Sequence, residues 1–149
     1  MTTVRKVTHL RRARRARHTR RVGTFSTTCR IENHLDRTRA TEVTLMVDSG
    51  SECTWVPKRT LQKLGIRREK KNIAFVMANG RGITRNVGFA VVRYGERLTI
   101  DEIVFAEDGD LLLLGARTLE GLNVTVDAAR KKLLAAGPLP VGGPQRVRQ

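Results

Sequence analysis

The sequence predicts a mostly-β fold, a small barrel or sandwich with one or two short helices. Three observations carry this. Short runs rich in Val, Ile and Thr alternate apolar with polar residues, Gly, Asn and Pro punctuate them closely, and only two stretches have helical spacing.

Thr24–Ile31 and Thr41–Val47 are predicted strands, the second placing Val43, Leu45 and Val47 on one face, with a polar turn over Asn33–Arg39 between them. Val56 and Pro57 close a short strand, after which Leu61 and Leu64 at i, i+3 mark a one- to two-turn helix stopped by Gly65. Asn72–Ala78 reads as a strand, and Asn79-Gly80 is the strongest hairpin signal in the chain. Ile83–Tyr94 returns as a long strand, Gly95 turns it, and Leu98–Phe105 follows. Leu111–Leu114 is short enough for a strand buried on both faces. Gly115 ends it, Ala116–Leu122 has helical composition, and Val124–Val126 and Lys132–Leu134 are candidate closing strands. No internal repeat is visible.

Of the 149 residues, the first 23 hold nine basic side chains and no acid, and residues 130–149 hold five and no acid. The rest of the chain sets its fifteen basic residues against all 14 acids, so the net charge of +15 belongs to the ends. This divides the chain into a basic tail over 1–23, a domain over 24–134 and a Pro/Gly-rich tail over 135–149. The basic tail has too little apolar surface to offset its ordering entropy, so it is expected to be disordered. It suits a nucleic acid or another anionic partner, and an Arg-rich, acid-free start is also transit-peptide composition. No apolar run approaches the ~20 residues of a membrane span and no secretory signal is visible, so a cytoplasmic protein with no membrane contact is expected. Cys29 and Cys53 read as reduced thiols rather than a disulfide framework.

Most catalytic sets are poorly supplied. His9 and His18 fall in the basic tail and His34 in a polar turn, which leaves no nucleophile with a base beside it. Cys29, His34 and Cys53 lack the spacing of a zinc site, so neither metal nor cofactor is expected. The segment Leu45-Met46-Val47-Asp48-Ser49-Gly50-Ser51 is different. A carboxylate just past an apolar strand lies at the border of the core, where desolvation penalises its charge. The Ser49 hydroxyl can fix the loop by bonding nearby backbone, and Gly50 permits close approach of a partner. A strand-ending turn accounts for the same tripeptide, which arises by chance in about 5–10% of chains this long. The tripeptide alone therefore does not decide.

Its company does more. From about Thr24 to Leu134 the chain resembles the retropepsin-like aspartic proteases, particularly small single-domain microbial members. Val47-Asp48-Ser49-Gly50-Ser51 is similar to their catalytic motif, and Val56-Pro57 with Leu61, Leu64 and Gly65 to the strand and short helix that follow. Ala78-Asn79-Gly80 falls where that family has its substrate-covering flap, and Leu112-Leu113-Leu114-Gly115 resembles its apolar-apolar-Gly signature. The resemblance implies a small closed β-barrel of the acid-protease type. It implies Asp48 as the catalytic carboxylate, supported by Ser49, Gly50 and Ser51, with Met77, Ala78, Asn79, Gly80, Arg81 and Gly82 as a cover over the bound peptide. Leu113, Leu114 and Gly115 would pack behind the catalytic loop.

Aspartic-protease chemistry uses two carboxylates sharing one proton. This chain has one Asp-Ser-Gly: Asp108-Gly109-Asp110 lacks the hydroxyl and Asp127-Ala128-Ala129 lacks the glycine. The resemblance therefore implies a homodimer that pairs two copies of Asp48, acting on peptide or protein substrates. The alternative is a catalytically inactive module of the same fold, used for dimerisation or peptide binding, with residues 1–23 docking nucleic acid or another anionic partner.

Overall fold

A computed structural model describes residues 24–143. The expected basic tail over 1–23 and the last part of the C-terminal tail lie outside the described residues. Nine strands and two short helices make up the described chain: β1 (Ser26–Glu32), β2 (Ala40–Val47), β3 (Thr54–Pro57), α1 (Lys58–Lys63), β4 (Lys70–Val76), β5 (Gly82–Tyr94), β6 (Arg97–Ala106), β7 (Leu113–Leu114), α2 (Ala116–Gly121), β8 (Val124–Asp127) and β9 (Lys132–Ala135).

Seven strands form one sheet in the order β1-β2-β7-β3-β6-β5-β4, and β1 also pairs with β5, so the sheet closes on itself as a ring. The long strand β5 makes this possible. One edge pairs with β6 from Val87 to Tyr94, while the other serves β4 up to Val87 and β1 at Val91–Arg93. The first half of β5 thus leaves the ring with β4 as a projecting hairpin. This is the mostly-β, barrel-like architecture expected.

Alternation along the strands divides the apolar residues into two cores. Ile103 and Phe105 of β6, Val56 of β3 and Leu45 and Val47 of β2 fill the ring, together with Leu61 and Leu64 near α1 and Leu119 and Leu122 near α2. From the opposite faces of the same strands, Val104, Ala106 and Trp55 join Cys53, Val87 and Leu113 beneath the hairpin, against Ile73, Phe75 and Ile83. Trp55 and Phe75 meet edge to face with ring centroids 5.1 Å apart.

Several boundaries differ from expectation: β1 spans Ser26–Glu32 rather than 24–31 and β4 spans Lys70–Val76 rather than 72–78, and three further differences have a local cause. Of Leu111–Leu114 only Leu113 and Leu114 are strand; Leu111 is 62% exposed, because the chain turns into β7 only after it. The hairpin signal is realised as a three-residue loop: Met77 N–H donates to Arg81 O, Gly80 N–H donates to Met77 O, and Gly80 takes the positive φ of 84°. Finally, β9 runs to Ala135, the Ala136 N–H donates to Asn123 O, and Asn123 Nδ2 donates to Gly137 O. Cys29 and Cys53 are both buried and unpaired. No helix among the described residues is long and apolar enough to cross a membrane.

Candidate active site

Asp48 follows directly on β2, and the loop it opens is held from several sides. Its own N–H donates to Leu114 O at 3.0 Å, and its Oδ1 accepts from the Gly50 N–H at 2.9 Å. Ser51 N–H donates to Asp48 O, and Ser51 Oγ to Cys53 O. The first turn of α2 then uses amides that have no partner inside the helix. Ala116 N–H donates to Ser51 O at 2.7 Å and Arg117 N–H to Glu52 O at 3.1 Å. Gly115 lies so close that a Cβ there would stand 2.2 Å from Cys53 O. The Leu114-Gly115 turn thus clamps the Asp48 loop, and β7 is wedged between β2 and β3 to bring it there.

Asp48 opens onto a cavity of about 270 Å³, lined also by Gly50, Ser51, Trp55, Val76, Met77, Ala78, Asp110, Leu111 and Leu113. The fold therefore brings the Asp48 loop, the near end of the projecting hairpin and Leu113 to one place. Asn79, Gly80, Arg81 and Gly82, at and beyond the hairpin tip, do not line the cavity. Ser49 is exposed, and among the described residues its hydroxyl has no hydrogen-bond partner, so Asp48 Oδ1 and Ser51 Oγ do the loop-fixing expected of it. Leu114 and Gly115 are buried behind the loop, whereas Leu113 both pairs with Met46 and Trp55 and lines the cavity. Among the described residues Asp48 has no ion-pair partner.

The Asp48 carboxylate thus stands at a strand end, clamped by an apolar-apolar-Gly turn and sharing a cavity with the hairpin. The model of the gag-polyprotein putative aspartyl protease family matches residues 37–121, more than half of the chain. The chain belongs to this family. The match takes in the Asp48 loop, the hairpin and the Gly115 turn of this aspartyl-protease domain. Among solved structures the chain is similar to the EIAV protease in complex with the inhibitor HBY-793, with a TM-score of 0.53 and 15% identity, over 66% of this chain and 86% of that one. A retropepsin-like aspartic protease from Rickettsia conorii aligns with a TM-score of 0.44 and 19% identity, over 74% of this chain and 90% of that one. No curated protein matches the chain in sequence.

Behind the clamp the family member carries a buried relay that the sequence did not reveal. Gly115 N–H donates to Thr54 Oγ1 at 3.0 Å, Thr54 and Thr118 hydroxyls meet at 2.6 Å, and Thr118 Oγ1 donates to Asp101 Oδ2 at 2.8 Å. Since the Thr118 proton goes to the carboxylate, Thr54 must be the donor between the two hydroxyls. All bonds then point one way, from the Gly115 amide to the Asp101 anion, and both threonines are fully buried. Thr118→Val keeps the shape but strands the Thr54 donor, and Thr54→Val strands the Gly115 amide. Each is expected to cost about 1–3 kcal/mol in denaturant unfolding. The double variant should cost less than the sum, because both changes break one network.

Among the described residues Asp110 is the other carboxylate in the Asp48 cavity. Arg85 of β5 holds it from two sides, Nε to Oδ2 at 2.7 Å and Nη2 to Oδ1 at 2.8 Å, and the Glu107 N–H donates to Oδ2 as well. The Arg85 hydrogen bonds hold the Asp110 carboxyl below the usual carboxylate range, against the opposing effect of burial. A carboxyl depressed in the folded state stabilises the fold above its unfolded pKa, and that contribution disappears as pH falls through the folded value. Unfolding free energy measured by denaturant from pH 5 downward should therefore drop less steeply in Asp110→Asn than in the parent chain. Equal slopes would show that the pair contributes nothing.

Proposed function

We propose that the protein is a homodimeric aspartic endopeptidase, its domain spanning 24–134, in which Asp48 of each copy supplies half of a catalytic dyad. What carries this reading is the state of the only other carboxylate that the described residues bring to the Asp48 cavity: Asp110 is engaged by Arg85 through both its oxygens and is not free to serve as the second acid. The second carboxylate then comes from another copy, across a two-fold axis. Like charges that close cannot both ionise, so the pair shares a proton. One carboxylate takes a proton from water, whose oxygen adds to the peptide carbonyl while the protonated partner hydrogen-bonds the carbonyl oxygen. Collapse of the tetrahedral oxyanion then breaks the C–N bond, and a proton passes from the dyad to the leaving amine, which leaves the dyad with its one shared proton. Met77–Gly82 covers the bound peptide, and the free Ser49 hydroxyl is available to the partner copy.

Mixing separates this from a one-chain site. With subunit exchange, an equimolar addition of Asp48→Asn chain should lower cleavage per parent chain to about half, since half of the parent chains then sit in mixed dimers. Specific activity should also fall on dilution. Activity indifferent to both would refute the shared dyad.

A further inference from the structure

Two cavities adjoin the Asp48 loop, and they differ in available charge. Ser51, Trp55, Val76 and Met77 line both. In the first, the Asp110 carboxylate is committed to Arg85 and the Asp48 carboxylate to the proposed dyad. The second, of about 340 Å³, adds Glu52, Cys53 and Phe75. Burial pushes the Cys53 thiol up, so it carries no charge near neutrality. Among the described residues that leaves Glu52 as the one charged residue lining this cavity.

The Glu52 carboxylate is available. Its side chain is 75% exposed, and its ion-pair partner Arg117 stands at 3.7 Å and also reaches Glu102 at 3.4 Å. An exposed pair of that length contributes little, so an incoming cation displaces it at small cost. The walls leading to it are apolar: the Trp55–Phe75 edge-to-face pair, Met77, and Val76, which is 80% exposed.

The geometry points to Glu52 as a specificity-determining residue that selects a Lys or Arg side chain of the substrate in this second cavity. The assignment rests on the proteolytic reading above and names its substrate class. Lys and Arg lay an apolar stem along a wall while the charged head stays at the wet rim, which is the sequence of surfaces this cavity offers. An acidic side chain there meets a like charge. An apolar one covers the wall but gains nothing from the carboxylate.

Cleavage sites mapped with the full chain on a proteome-derived peptide library should show Lys or Arg enriched at one fixed position relative to the cut bond. A matched peptide pair, Lys against norleucine at that position, should differ about fivefold in kcat/KM. In Glu52→Gln that ratio should fall to about one, the value for a site without its ion pair, and in Glu52→Lys a Glu peptide should overtake the Lys peptide. Cut sites without basic enrichment, or a ratio that survives Glu52→Gln, would overturn the inference and leave the proteolytic reading intact. A second measurement does not need turnover. Trp55 is the only tryptophan of the chain, so its fluorescence reports peptide bound in the two cavities it lines, and the Glu52 variant separates the second from the first. In Asp48→Asn the Lys peptide should bind about fivefold more tightly than the norleucine peptide, and adding Glu52→Gln should remove the difference. Equal affinities in Asp48→Asn would overturn the inference whether or not any peptide is cut. Absence of cleavage by the parent chain, with that affinity difference present, would overturn the proteolytic reading alone.

Discussion

Asp48→Asn is expected to abolish peptide cleavage while leaving a folded dimer. The substitution keeps the size of the side chain and a carbonyl oxygen where Oδ1 now accepts the Gly50 N–H, so the loop retains its internal bond. The chemistry is lost because an amide can neither take a proton from water nor share one with a partner carboxylate. The fall in kcat/KM should be at least about 10²–10⁴-fold, the range set by losing a positioned acid or base. Dimerisation should be little changed, since the change removes only the single charge the two carboxylates share and leaves amides that can hydrogen-bond in their place. Cleavage of a fluorogenic peptide and sedimentation of the same samples check both halves, and retained cleavage would refute the assignment.

Gly115→Ala should do the largest structural damage of any single methyl addition near the site. The new Cβ would stand 2.2 Å from Cys53 O, 2.5 Å from Cys53 C and 2.9 Å from Ser51 O. All three are main-chain atoms, so no rotamer change relieves the overlap. Either the Asp48 loop or the start of α2 must move, and the bonds from Ala116 and Arg117 to Ser51 and Glu52 are lost with it. A destabilisation of about 3 kcal/mol is expected, which lowers Tm by about 10 °C for a domain of this size. Activity should fall further than stability explains at temperatures where the variant is still folded. Gly142→Ala is the control, because a Cβ there meets nothing within 4 Å. A Tm unchanged in Gly115→Ala would mean that the clamp is looser than these distances state.

Much of the domain was legible because its signals are local. Period-two alternation located the strands to within a few residues, and Asp48 stood out because a carboxylate, a hydroxyl residue and a glycine follow an apolar strand. The four-leucine run was harder. It has no periodicity, so nothing in it says that Leu113 and Leu114 enter the sheet while Leu111 turns out to the cavity. The partners that shape the site were not legible at all, because they are separated along the chain. Thr54 and Thr118 lie 64 residues apart, and each alone looks like an ordinary strand or helix threonine. The sequence speaks against Asp110 as a second acid only through its lack of a neighbouring hydroxyl. The physical reason is its clasp by Arg85, 25 residues away, and only the fold makes that pairing. Glu52, beside the motif, carries no local mark that separates it from a solvated surface charge.

The clamp also fixes an order of events at the ribosome. The Asp48 loop is synthesised early, but the groups that hold it, Leu114 O, the Gly115–Thr54 bond across 61 residues and the first amides of α2, come from the last third of the chain. Contacts that distant form only after the intervening loop has been closed. A nascent chain carrying its aspartate therefore has no organised Asp48 loop until Gly115 and α2 have emerged, so the loop takes its shape late, with the completed ring.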